Sequence, residues 1–88
     1  MTSKKDLKKA INRFMYDVIE ESSFQIIYLP ETDVKKVEQL ITDTVIMRND
    51  WVDRINGARK VENQKSHFKA IVDEFSAKAT EIVTSLYA

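Results

Sequence analysis

The chain contains no cysteine, one glycine, one proline and one histidine in 88 residues. Without cysteine there is no disulfide, no thiolate metal site and no thiol nucleophile. A single glycine excludes the Gly-rich loops that cradle phosphates. A single histidine, His67, leaves no His-x-x-x-His and no Glu-x-x-His pair, so no metal is expected. It is also the only base a serine triad would have, and no nucleophile-elbow motif surrounds any serine. The longest apolar stretch, Ile26 to Leu29, is far too short to span a bilayer. No apolar run of signal-peptide length follows the N-terminal lysines. The expectation is a soluble, cytoplasmic, non-enzymatic protein with no catalytic residues, no cofactor and no membrane partner. Net charge is absent too: 14 basic residues balance 14 acidic ones, so the whole chain has no electrostatic pull toward nucleic acid.

What remains is helical periodicity. At 100° per residue, Leu7, Ile11, Phe14, Met15 and Val18 share one face of a first helix, with Ser3 as a cap and Asp6 three residues on. Residues 24–29 are rich in β-branched and aromatic side chains and would suit a strand. A lone strand leaves its backbone groups unpaired, and nothing else in the chain offers a partner, so the helix is continued to Tyr28. Pro30 then ends it. A second helix starts after Thr32 or Asp33, with the stripe Val34, Val37, Leu40, Ile41, Thr44, Val45, Trp51, Val52 and Ile55. Asn56-Gly57 should stop it with the glycine in the left-handed conformation. The third helix starts between Asn63 and Ser66, with the stripe Phe68, Ile71, Val72, Phe75, Ala79, Ile82, Val83 and Leu86.

Three stripes and two short connections predict one all-α domain over residues 1–88. Its helices run from about 3–28, 33–56 and 64–87 and form an up-down-up antiparallel three-helix bundle. Each helix would be about 30–37 Å long.

Zero net charge conceals a polarity. Residues 1–16 carry +4, 17–50 carry −5, 51–69 carry +3 and 70–88 carry −2. In an antiparallel bundle these blocks sum to +7 toward one end and −7 toward the other. The basic end gathers Lys4, Lys5, Lys8, Lys9, Arg13, Arg54, Arg59, Lys60, Lys65 and Lys69. One reading is a solvated face; the other is a surface for nucleic acid phosphates or an acidic partner.

Other residues depart from the pattern. Arg48 falls inside the stripe of the second helix, where a charge needs a partner. Asn12 and Asp73 lie near its level, and neither is placed as a buried partner. Arg48 is expected to lay its stem on Trp51 or Phe14 and reach solvent. The alternative is a guanidinium lining a crevice for a carboxylate or phosphate, helped by Asn49, Asp50 and Trp51. Phe24, Ile27 and Ile46 fall off their stripes. Phe24, Ile27 and Tyr28 together form a candidate patch for another protein or a second copy. The carboxylate pairs Asp17 with Glu20 and Glu21, and Asp50 with Asp53, are read as solvated faces.

Trp51-Val52-Asp53 lacks the glycine of the secreted Trp-x-Gly helical hairpins. The segments Lys4-Lys5-Asp6-Leu7-Lys8-Lys9-Ala10-Ile11-Asn12, Arg48-Asn49-Asp50-Trp51 and His67-Phe68-Lys69-Ala70-Ile71-Val72-Asp73-Glu74-Phe75 resemble small uncharacterised helical proteins of Bacteroides-type bacteria. That resemblance implies an all-α, cytoplasmic bacterial protein and carries no activity with it. The leading expectation is a helical protein–protein interaction module. The alternatives are a weak nucleic-acid or anion binder at the basic end, and a structural homo-oligomer.

Overall fold

The computed structural model describes residues 4–57 and 63–87. Three helices account for almost all of them: α1 (Lys4–Tyr28), α2 (Val34–Asn56) and α3 (Gln64–Tyr87). The described residues contain no strand. Ser3, expected to cap α1, lies outside them.

The helix boundaries follow from local chemistry. α1 runs through Ser22-Ser23 because Ser22 continues the buried stripe of Leu7, Ile11 and Val18, and Gln25 extends it one turn further. Gln25 O closes the helix by accepting from Leu29 N (3.0 Å) and from the Thr32 hydroxyl (2.9 Å). Pro30 has no N–H with which to continue. Asp33, rather than Thr32, caps α2: its backbone is extended and its carboxylate accepts from Lys36 N at 3.2 Å. Asn63 does the same for α3, accepting from Ser66 N at 3.1 Å.

Gly57 corrects an expectation. It ends α2 at φ −80°, ψ 0°, not in the left-handed region, and its N–H turns back to Asp53 O and Ile55 O. The glycine is therefore not required by its backbone conformation.

The helices pack up-down-up into a rod 50 × 20 × 17 Å. Antiparallel contact of α1 with α2 appears in the Asn12–Arg48 bond, and of α2 with α3 in the Trp51–Glu74 bond. The parallel arrangement of α1 and α3 appears in Phe14–Phe75 and in Gln25–Leu86. The core joins Leu7, Ile11, Trp51, Ile55 and Ile71, with Met47, Phe68, Val72 and Phe75 packed against it. Burial of such side chains stabilises the fold by about 1.5–3 kcal/mol each. Phe75 links the three helices through aromatic edges. Its ring meets Phe14 at 5.6 Å and Trp51 at 5.3 Å, both near perpendicular.

Two stripe assignments fail. Val34 and Val83 are exposed. Val34 is the first residue of α2, at the edge of the bundle, and Val83 lies beside Ile82, which takes the inward position. Beyond the mid-height of the rod the seam admits polar side chains, with Ser22, Gln25 and Thr44 buried along with Val18, Val37, Ile82 and Leu86. Gln25 Nε2 donates to Leu86 O at 2.9 Å, tying α1 to the last turn of α3. Thr44 Oγ1 donates to Leu40 O at 2.6 Å, and Ser22 Oγ has no partner.

Candidate functional site: a lysine-lined pole and an aromatic pole

The antiparallel packing brings the start of α1, the end of α2 and the start of α3 to one end of the rod. Lys4, Lys5, Lys8, Lys9 and Asn12 line an open hollow there of about 410 Å³. None of the four lysines makes an ion pair with the described residues. Lysines in the first turns of a helix oppose its dipole, and Lys4–Lys8 and Lys5–Lys9 are like-charge neighbours one turn apart. This cluster therefore costs the isolated helix stability.

Other members of the expected basic group behave differently. Arg54 is not a free cation: Nη1 meets Glu74 Oε2 at 2.9 Å and Asp50 Oδ2 at 3.4 Å. Lys69 pairs with Asp73 at 3.1 Å on the same helix. Arg13 and Lys65 are exposed. Arg59 and Lys60 lie outside the described residues.

Trp51 is withdrawn from candidacy as a contact for a ligand or partner. It is 1% exposed, in the middle of the core. Its indole N–H donates to Glu74 Oε1 at 3.1 Å. Glu74 thus accepts from both Trp51 and Arg54. The Arg54 bond first, and the Trp51 bond second, hold its carboxyl below the usual carboxylate range. The Glu74 bond in turn holds Arg54 above its ordinary value. His67 Nε2 lies 2.8 Å from Arg54 O, closing the base of the same cluster. Glu74 escaped the sequence reading because its partners lie 20 and 23 residues away on another helix. The i,i+4 spacing of Asp50 and Arg54 was the one local sign.

Arg48 is half-buried and satisfied. Its Nε donates to Asn12 Oδ1 at 2.7 Å and its Nη1 to Asn49 Oδ1 at 2.9 Å. Asn12, set aside on sequence grounds, is the residue that makes an arginine tolerable beside the seam. Because Asn12 also lines the lysine hollow, Arg48 adjoins that hollow through it.

At the opposite end, Phe24, Ile27 and Tyr28 stand in solvent at 49%, 69% and 67% exposure. The Phe24 and Tyr28 rings, one turn apart, contact each other at 5.1 Å. Ile46, on α2, is also exposed. Around the α1–α2 turn, a hollow of about 620 Å³ is bordered by Glu21, Glu31, Asp33, Lys36, Leu29 and Tyr87, among others. Neither α1 nor α3 carries a basic residue in its last turn. The negative ends of both dipoles therefore add to this acidic, aromatic pole.

No cluster of three or more potential metal ligands occurs among the described residues. No helix of the described residues is long and apolar enough to cross a membrane. No family model, curated protein or solved structure matches the chain.

Proposed function

We propose that the protein is a non-enzymatic interaction module that engages another protein or a second copy of itself through the aromatic end of α1. What supports this is the exposure of Phe24, Ile27 and Tyr28 on one helical turn, with the Phe24 and Tyr28 rings in tilted contact at 5.1 Å. Large apolar side chains clustered in solvent cost free energy that a partner would recover. A cytoplasmic setting and the bacterial origin implied by the resemblance belong to the same proposal.

The test is capture of proteins by the tagged full chain from lysate of its own cells, beside two variants. Ile27→Glu combined with Tyr28→Ser removes the patch. Replacement of Lys4, Lys5, Lys8 and Lys9 by Gln removes the basic hollow. A protein, or the untagged chain itself, retained by the wild type and the lysine variant but lost with the patch variant supports the reading. Retention that ignores the patch variant overturns it.

A second reading is favoured by the lysines around the hollow at the other end, none of which pairs with the described residues. There the module would bind nucleic acid or another polyanion weakly. Binding to a duplex or single strand at about 50 mM salt, lost by about 200 mM, supports that reading, and no binding at the lower salt removes it.

A further inference from the structure

The outward surface of α1 holds an ordered series of side chains that the fold does not use. Lys5, Lys9 and Arg13 are exposed on its first half; Asp17, Glu20, Phe24 and Tyr28 are exposed on its second. Tyr16, 65% exposed, stands between the halves. None of Lys5, Lys9, Arg13, Asp17 and Glu20 makes an ion pair with the described residues. Arg13 and Asp17 do not pair although they are one turn apart. Lys5 stands in the first turn, where a cation opposes the helix dipole.

The order is self-complementary when a second α1 is laid antiparallel. Place a two-fold axis between Tyr16 and Asp17. Arg13 then faces Glu20 of the sister copy, Lys9 faces its Phe24, and Lys5 faces its Tyr28. Each pair occurs twice, because a two-fold contact repeats every interaction. Lys5, Lys9 and Arg13 rise in steps of four along one row of the α1 surface, and Glu20, Phe24 and Tyr28 do so along the neighbouring row. One pair is a salt bridge between opposite charges. The other two set an ammonium over an aromatic ring, an attraction worth more as water is excluded. The like-charge series Lys5–Lys9–Arg13 is relieved, and the two antiparallel dipoles attract.

We infer that the partner of the α1 outer face is a second copy of this chain, bound antiparallel about Tyr16, with Arg13–Glu20, Lys9–Phe24 and Lys5–Tyr28 contacts between copies. This rests on the proposed interaction role and names its partner. The occupant is chosen by charge and register: the same face offers three cations and the acid and two rings that answer them, at matching intervals. The contact is closed, so association stops at two copies.

Sedimentation equilibrium of the full chain at about 50 mM salt, up to about 500 μM, tests it. The expected mass rises with concentration and levels at twice the 10.2 kDa chain mass. Arg13→Glu sets acid against Glu20 of the sister, and Glu20→Arg sets base against Arg13. Each should weaken dimerisation by about tenfold or more, and raising salt should weaken the wild type similarly. The double variant R13E/E20R restores both pairs and should dimerise within about threefold of the wild type. All three variants alter exposed positions, and helical circular dichroism checks that each stays folded. A monomeric wild type, a double variant no better than the singles, or masses growing past two copies overturns the inference. A wild type that stays monomeric yet retains a different protein through Ile27 and Tyr28 overturns this inference and leaves the proposed function standing. A monomer that retains nothing overturns both.

Discussion

Trp51 and Glu74 meet across the α2–α3 interface at 3.1 Å, so a fully buried indole finds its acceptor on a carboxylate at the edge of the rod. The same carboxylate holds Arg54 at 2.9 Å. A polar handle on the core tryptophan is thereby satisfied without any polar group entering the core. Arg54, a basic residue by composition, is occupied in the process.

The carboxylate's role can be read from acid titration. Glu74 is held below its ordinary value when folded. Its stabilisation is therefore complete above the unfolded value, about 4.3, and is lost as pH falls through the folded value. Glu74→Gln keeps an acceptor for Trp51 and removes the charge. At pH 7 it should destabilise by about 0.5–1 kcal/mol, a modest figure because both charged partners are partly solvated. The gap from wild type should close as pH falls through the folded value, as followed by urea denaturation at a series of pH values.

Ser22 is a place where the fold can be improved. Its hydroxyl is fully buried and without a partner. Ser22→Ala removes an unsatisfied polar group and adds helix propensity. Stability should rise by about 1 kcal/mol, seen as a melting temperature higher by roughly 4–8 °C. A fall would mean that the hydroxyl is satisfied in solution.

Phe75 should behave oppositely. It touches one aromatic ring from each of the other helices. Phe75→Ala should cost about 3 kcal/mol, the lower end for such truncations because the ring is only partly buried. Chemical denaturation gives the value directly.

Gly57 gives a gentler test. A Cβ added there meets nothing within 4 Å, and φ −80° suits an L-residue. Gly57→Ala should stabilise by about 0.5 kcal/mol by restricting the unfolded chain. A loss would show that the turn needs glycine's freedom.

The three helices were legible because the apolar spacing, Pro30 and the Asp33 cap act locally, within a turn or two. Even the ambiguous residues 24–29 resolved, since a strand would have had no partner. The exposed patch of Phe24, Ile27 and Tyr28 was legible for the same reason: Phe24 and Ile27 fall off the apolar face, and Tyr28 is close by. What periodicity could not show was pairing across helices. It placed Arg54 with the basic end, and Trp51 in the apolar stripe and also as a contact beside Arg48, because nothing near them in sequence announces Glu74. Arg48 was recognised as misplaced, but Asn12 as its answer required the actual rotation of α1 against α2. Val34 and Val83 show the remaining limit: a helical wheel gives direction, not how far the neighbouring helices extend.

The entry of polar side chains into the seam has a consequence for motion. Around Ile11, Trp51, Ile55 and Ile71 the three helices are joined by apolar packing. Around Ser22, Gln25 and Thr44 polar side chains interrupt the hydrocarbon of Val18, Val37, Ile82 and Leu86, and one side-chain bond, from Gln25 to Leu86 O, joins two helices. In a rod only 20 Å thick, water stands one side chain away from that bond. Local opening is expected to begin at the aromatic end, with the last turns of α1 and α3 exchanging their amide hydrogens faster than the tryptophan level. The surface proposed to meet a partner would then sit on the part of the molecule that most cheaply adjusts its shape.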